Sequence, residues 1–245
     1  MLSTHRMVAP GSPYSHLPGL MGPMVAAFVV AALPGGALRD WAASLIRWPI
    51  RPDLVLALTL AAPLIAFGCI AFAHVFGGAA WPDTAALSAY PGLPKGLSTL
   101  AGIAVVLVLN GFGEEAGWRG WLLPCADGPV RNLSRYTCPL GNLARLARTA
   151  FLAQRDNGRA GRPLGFGWAF ALVCGAFALS QLYLVSGRSI TAVVLWHIGF
   201  NFSVATQATS GVPAAVVSTG VMSWGLWAAW RFWREPKWSM EIQES

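Results

Sequence analysis

The apolar run at residues 54–77 limits the folds open to this chain more than any other feature. It contains no Asp, Glu, Lys or Arg, and His74 lies near its end. About 20 apolar residues in a helix are enough to cross the hydrocarbon core of a membrane. A run of this length and composition therefore predicts a transmembrane helix.

Five further apolar runs indicate that the chain crosses the membrane several times. Hydrophobic residues make up 55% of the 245 residues and charged residues only 11%, against roughly a quarter charged in soluble domains. We therefore exclude a soluble domain and a disordered chain, and predict an all-α fold: a polytopic helical membrane bundle of about six spans. The five further runs cover residues 20–38, 97–113, 165–186, 189–207 and 212–233.

The ends of the chain differ in composition from its middle. We predict one membrane-embedded domain at residues 20–233, between a polar N-terminal segment at 1–19 and a polar tail at 234–245. The first segment lacks the charged start and long apolar middle of a signal peptide. The first apolar run is short and is broken by Pro34-Gly35-Gly36, so it is a marginal span.

The net charge of +7 comes mainly from arginines that cluster between the apolar runs. Clusters of this kind are typical of cytoplasmic loops, so we predict that residues 39–51 and 131–162 face the cytoplasm and that residues 78–96 lie on the other side. No module that combines aromatic and basic residues accompanies the charge. We therefore predict membrane lipid, and no nucleic acid, as a partner.

Residues 125–162 interrupt the pattern of apolar runs. They hold seven arginines and two acidic residues, without the periodicity of an amphipathic helix. We predict an exposed, poorly packed cytoplasmic segment. Counting spans from there places Arg231 and Arg234 on the side opposite to the cytoplasm, against the usual charge bias. This disagreement indicates that one membrane span is missing from this segment.

The sequence Gly-Glu-Glu-Ala-Gly-Trp-Arg-Gly is the most informative polar feature. Glu114 and Glu115 lie at the end of an apolar run, where carboxylates are costly. Glu115 and Arg119 are four residues apart, share a helix face and can form an ion pair. This pairing leaves Glu114 able to face a water molecule or a metal ion. A purely structural ion pair is the alternative.

A second polar feature, Trp-His-Ile-Gly-Phe-Asn, lies within another apolar run. His197 and Asn201 are four residues apart on one helix face. An imidazole can act as a base or a metal ligand, and an amide can hold a water molecule or an oxyanion; interhelical hydrogen bonding is the alternative. Ionisable groups on separate spanning helices usually face a shared polar cavity, so we predict one site that contains Glu114, Glu115, Arg119, His197 and Asn201.

These two features resemble the motifs of a known family. "EEAGWRGWLLP" resembles the EExxxR motif of the CPBP family of intramembrane proteases, which includes the CAAX prenyl protease. "SGRSITAVVLWHIGFN" resembles the family's closing motif, in which a helix carries HxxxN. The resemblance covers about residues 20–207, and it implies hydrolysis of a membrane-embedded or lipidated peptide by an integral membrane protein of the bacterial plasma membrane.

The resemblance also implies roles for the five polar residues. Glu114 would activate water, Glu115 and Arg119 would support it, and His197 and Asn201 would line the same site. The family's reaction is either metal-dependent or glutamate-dependent. A divalent metal such as zinc would be held by His197 and Glu114.

One departure from the family pattern concerns a second histidine, which the family places on a helix between the two motifs. This chain has no histidine between residues 75 and 196, so a three-ligand metal site would lack one ligand. Gln181 in "FALSQ" stands where an FxxxH motif has its histidine, but on the wrong helix, and we expect it to hydrogen-bond between helices. A one-base shift of the reading frame over about residues 125–150 would restore both a Trp-His context and the missing span.

Three functions follow from these observations. The first is a CPBP-type intramembrane endopeptidase, with little or no activity expected from a chain that has one imidazole at the site. The second is a non-catalytic pseudoprotease that acts as a membrane scaffold. The third is a small proton-coupled transporter that uses Glu114 as a proton relay.

Overall fold

The structure is a computed structural model that describes residues 17–34, 36–49, 51–91, 93, 97–124 and 162–234. These ranges contain helices, turns and loops and no strand. The predicted all-α fold is confirmed. The predictions for the N-terminal segment, for the arginine-rich segment and its reading frame, and for the polar tail concern residues outside the described ranges, except that Arg162 begins a helix.

Nine helices occur in the described ranges. The longest are close to the predicted apolar runs, and their ends differ from the predictions by a few residues. The helices are α1 (Leu17–Leu20), α2 (Gly22–Ala32), α3 (Leu38–Leu45), α4 (Pro52–Gly77), α5 (Thr84–Ser88), α6 (Thr99–Leu122), α7 (Arg162–Val185), α8 (Ile190–Ala205) and α9 (Val212–Arg234).

Three of these helices, α4, α6 and α9, are long and apolar enough to cross a membrane, and three shorter apolar helices accompany them. Many large apolar side chains on α4 face outward, among them Leu56, Leu64 and Phe72. An exposed apolar surface of this extent needs lipid around it. The predicted helical membrane bundle is confirmed, and the chain is an integral membrane protein.

The first predicted span is the shortest of the apolar helices. Helix α2 has 11 residues, or about 16 Å at the rise of an α-helix, against roughly 30 Å for the hydrocarbon core. It ends at Ala32, two residues before Pro34. Proline disfavours helical geometry at the residue before it, so the break follows from the local sequence.

Helix α8 is the centre of the described bundle. It contacts α4, α6, α7 and α9, and Val193 and Val194 on it are fully buried. The start of α8 is fixed by hydrogen bonds: Ser189 Oγ accepts from Ala192 N–H at 3.2 Å and donates to the Arg47 carbonyl oxygen at 2.6 Å. Side chains on α8 are therefore held in defined positions relative to the neighbouring helices.

Helix α6 departs from regular α-helical geometry on both sides of the Glu-Glu pair. Leu107–Phe112 and Trp118–Leu122 are π-helical, and Gly113–Gly117 between them is α-helical. π-helical turns in proteins occur frequently at functional sites. Trp41 of α3 donates from Nε1 to the carbonyl oxygen of Ala116 at 3.0 Å, which anchors this part of α6 from outside.

Two glycines allow the chain around α1 and α2 to approach α6 beside the Glu-Glu pair. A Cβ atom at Gly113 would lie 2.6 Å from the Leu20 carbonyl oxygen, and one at Gly117 would lie 2.5 Å from the Pro23 carbonyl oxygen. Small residues at helix interfaces in membranes permit this close backbone packing. The approach covers one side of the segment that carries Glu114 and Glu115.

We expect Gly117→Ala to destabilise the protein by about 1–3 kcal/mol, because the added methyl group meets backbone that cannot move aside cheaply. Gly68→Ala on α4 is the matched control, since a Cβ atom there has nothing within 4 Å. The measurement is thermal unfolding in detergent micelles, followed by tryptophan fluorescence. Equal melting temperatures for the two variants would show that α2 and α6 are not closely packed.

Candidate active site

A buried ion pair on α6 lies at the base of the candidate site. Glu115 is 0% exposed and Arg119 is 7% exposed. Arg119 Nη1 donates to Glu115 Oε2 at 2.8 Å. The predicted pairing of these two residues along one helix face is confirmed.

His197 of α8 completes the partners of Glu115. Its Nδ1 lies 2.9 Å from Glu115 Oε1, within hydrogen-bond distance. Each carboxylate oxygen of Glu115 therefore has one partner, an arginine on one side and a histidine on the other. When Nδ1–H donates to the carboxylate, Nε2 is the ring nitrogen left to act on a ligand.

Arg119 also connects α6 to α7. Its Nη2 donates to the carbonyl oxygen of Ala176 at 3.2 Å. Glu115 thus joins α6 to α8, and Arg119 joins α6 to α7. Three helices that carry or support the candidate site are held in register by one charged cluster.

Glu114 is the uncommitted carboxylate. One of its oxygens lies within 4.8 Å of ligand atoms of both Glu115 and His197. The side chain is half-buried, and within the described part of the chain no hydrogen bond engages its carboxylate. The structure therefore places Glu114 beside the cluster with its oxygens available.

Asn201 lies one helical turn beyond His197 on α8. Its side chain is half-buried, and its Nδ2 atom is buried with no hydrogen-bond partner. It is thus a donor that is close in sequence to His197 and has no hydrogen-bond partner among the described residues. The structure brings the other four predicted residues into direct contact or near-contact, and leaves Asn201 adjacent to them.

Two further polar residues beside the site were not singled out from the sequence. Asn110 Nδ2 donates to the Tyr90 hydroxyl at 3.2 Å, and the Tyr90 ring packs against Phe202 with ring centroids 5.0 Å apart and ring planes tilted by 41°. Asn110 precedes Glu114 by four residues, and this spacing was the signal that could have identified it. No sequence pattern indicated Tyr90, since its position depends on the path of a loop.

Two other polar residues of the apolar helices, Gln181 and His74, have structural partners. Gln181 Oε1 accepts a hydrogen bond from Trp224 Nε1 at 2.6 Å, so the predicted interhelical bond is confirmed. His74 Nδ1 lies 2.8 Å from the carbonyl oxygen of Ala79 just past the end of α4. Its ring packs against Trp81 with centroids 5.5 Å apart.

Comparison with protein families gave one match. A family model described as "Type II CAAX prenyl endopeptidase Rce1-like" matches residues 96–203. This region contains both polar motifs and the five predicted site residues. This region is therefore similar to a family of CAAX-type endopeptidases, in agreement with the resemblance of the two motifs to the CPBP family. No curated protein and no solved structure gave a significant match.

The two polar motifs meet where α6 and α8 pack against each other. Carboxylate and imidazole side chains of these motifs are of the types that bind metal ions. Glu114, Glu115 and His197 have the spacing of a three-ligand group. However, both oxygens of Glu115 already have partners. Two uncommitted donors remain, the Glu114 carboxylate and His197 Nε2, whereas catalytic zinc usually has three protein ligands. The described residues therefore fit a metal incompletely.

We expect Arg119→Leu to destabilise the protein by about 3–5 kcal/mol, because it leaves the buried Glu115 carboxylate without its cationic partner. Arg51→Leu is the control, because Arg51 pairs with Asp53 at the exposed start of α4. We expect no measurable change for that variant. Chemical denaturation in micelles checks both, and an unchanged stability for Arg119→Leu would contradict a structural role for the buried pair.

Proposed function

We propose that this chain is an intramembrane endopeptidase of the CAAX type, acting on a membrane-embedded or lipidated peptide, with Glu114 as the general base. The observation that carries the proposal is the different state of the two adjacent carboxylates. Glu115 is saturated by Arg119 and His197, whereas Glu114 is uncommitted within the described residues and lies beside them.

Glu114 would accept a proton from a water molecule as that water attacks the carbonyl carbon of the peptide bond. A base held within hydrogen-bond reach of its water contributes typically 10²–10⁴-fold to a rate, in rough terms. The negative charge that develops on the carbonyl oxygen needs a donor. Asn201 Nδ2, a buried donor with no protein partner, supports this role, together with His197. Glu114 would then return the proton to the leaving amine nitrogen.

Glu115 and Arg119 would act through other groups. Glu115 holds the ring of His197 in one orientation and stabilises the imidazolium form when His197 takes up a proton. Arg119 neutralises Glu115, so that the second carboxylate does not repel the charge on Glu114. Glu115 would thus have a structural role and Glu114 a chemical one.

A divalent metal bound by Glu114 and His197 would polarise the carbonyl group and its water. The described part of the chain offers two uncommitted donors for it and places one imidazole at the site. We therefore expect slow cleavage and low metal affinity. The same incomplete donor set is the observation behind the second candidate, a pseudoprotease scaffold in the membrane.

We expect Glu114→Gln to lower cleavage at least about 100-fold, because the amide cannot accept the proton of water. The assay uses the purified protein in liposomes with a farnesylated reporter peptide that ends in a CAAX sequence, and measures the released product by mass spectrometry. Asp53→Asn is the matched control, since Asp53 is an exposed carboxylate at the start of α4.

The outcomes separate the two candidate functions. Cleavage by the wild type that persists in Asp53→Asn and disappears in Glu114→Gln supports the endopeptidase. A folded wild type that does not cleave any membrane-anchored reporter supports the scaffold. Equal cleavage by wild type and Glu114→Gln would show that Glu114 is not the base.

Metal content provides a separate prediction. We expect elemental analysis of protein purified without added metal to show well under one zinc per chain, because two ligands bind zinc far more weakly than three or four. A full equivalent of zinc that is lost in His197→Ala would contradict this. It would indicate that a further residue of the chain completes the metal site.

A further inference from the structure

Two asparagines beside the candidate site each leave one buried amide atom without a partner. The acceptor Oδ1 of Asn110 and the donor Nδ2 of Asn201 are both buried and form no hydrogen bond with any residue that the structure describes. Buried polar groups in native proteins are nearly always hydrogen-bonded, and exceptions often mark the place of a water molecule or ligand. The pair therefore indicates that something with both a donor and an acceptor binds here.

The packing of α6 against α8 sets where these asparagines lie. Gly111 packs against Val194 and Ile198, and Gly120 packs against Ile190. As residue numbers rise along α6, the contacted residues on α8 fall, so the two helices run antiparallel. The contact of Glu115 with His197 joins the same two helices near the Gly111 contact, because His197 lies between Val194 and Ile198 on α8.

The antiparallel register places both asparagines on the same side of the charged cluster. Asn110 precedes Glu114 by one helical turn on α6, and Asn201 follows His197 by one turn on α8. In an antiparallel pair, the direction towards the start of α6 is the direction towards the end of α8. One turn back along α6 and one turn forward along α8 therefore lead to the same level of the bundle. Both amides therefore lie at the same level of the bundle, beside Glu114 and His197 and towards the end of the bundle that holds Tyr90.

Tyr90 determines which end of the Asn110 amide is available. Its hydroxyl accepts from Asn110 Nδ2 at 3.2 Å, and its ring packs in a tilted arrangement against Phe202, next to Asn201 in the chain. Burial raises the pKa of the Tyr90 hydroxyl, and the charge of Glu114 raises it further, so the hydroxyl stays neutral beside the site. With Nδ2 occupied, the Asn110 amide presents its Oδ1 acceptor.

We propose that Asn110 is a substrate-binding residue whose Oδ1 accepts a hydrogen bond from a backbone N–H of the bound peptide, one turn away from Glu114, and that Tyr90 is the positioning residue that orients it. This inference rests on the proposed endopeptidase function. A peptide backbone offers N–H donors and carbonyl acceptors in alternation. Asn110 Oδ1 and Asn201 Nδ2 supply one partner for each.

The test measures binding separately from cleavage. The protein carries Glu114→Gln, so that bound peptide is not cleaved, and fluorescence anisotropy in micelles gives the Kd of a labelled, farnesylated CAAX-type peptide. In a second set of peptides, one backbone N–H at a time near the scissile bond is replaced by an ester oxygen. Each ester removes a single hydrogen-bond donor from the ligand and leaves its shape nearly unchanged.

We expect Asn110→Leu to raise the Kd of the all-amide peptide about fivefold, as for the loss of one hydrogen bond. For the Asn110-containing protein, one ester peptide should have a Kd that is higher than that of the all-amide peptide by a similar factor. For Asn110→Leu, the same ester peptide and the all-amide peptide should have equal Kd values. Asn110→Asp, which keeps an acceptor oxygen, should restore most of the affinity. Gln207→Leu, at an exposed amide in the loop before α9, is the control and should change nothing.

Tyr90→Phe should raise the Kd about twofold while the melting temperature stays unchanged, because the ring contact with Phe202 is kept. If every ester peptide loses as much affinity for Asn110→Leu as for the Asn110-containing protein, Asn110 holds a water molecule or acts only in packing, and the inference is wrong. A protein that binds no peptide overturns both proposals. Binding that depends on Asn110, together with a wild type that does not cleave, overturns only the proposed activity.

Discussion

The buried carboxylate of Glu115 is the constraint on which the other features of the site depend. An ionised carboxylate at 0% exposure among apolar helices is stable only when its charge is compensated. Arg119 and His197 supply that compensation from two sides, and Arg119 continues to the backbone of α7. This one charge therefore links α6, α7 and α8, in addition to the apolar packing between α7 and α8 and the glycine contacts of α6 with α8.

This arrangement separates the roles of two chemically identical neighbours. Glu114 and Glu115 differ by about 100° around the helix axis, so one faces the arginine and the central helix while the other faces the remaining space. Glu115 makes the contacts with Arg119 and His197. Glu114 has no hydrogen-bond partner among the described residues. Close backbone packing at Gly113 and Gly117 and the π-helical turns on either side keep this division in place.

Besides the charged cluster, the site contains two buried amide atoms that have no hydrogen-bond partner among the described residues. The free amide atoms of Asn110 and Asn201 lower stability in the free protein, and proteins tend to accept such costs at functional sites. They lie on the two helices that Glu115 and His197 join. A substrate that satisfied both atoms would therefore bind across the same helix pair that the charged cluster holds together.

The class of fold, the apolar helices and the ion pair within one helix could be predicted from the sequence alone. An apolar run as long as 54–77 forms a helix when it spans a membrane. The four-residue spacing of Glu115 and Arg119 places the two side chains on the same face of any helix. Contacts between helices depend on rotation and register, which local spacing does not encode. The tertiary structure alone decided that His197 pairs with Glu115 rather than Glu114, and that a loop brings Tyr90 to Asn110, because each partner lies on a different segment and meets the other only when the bundle packs.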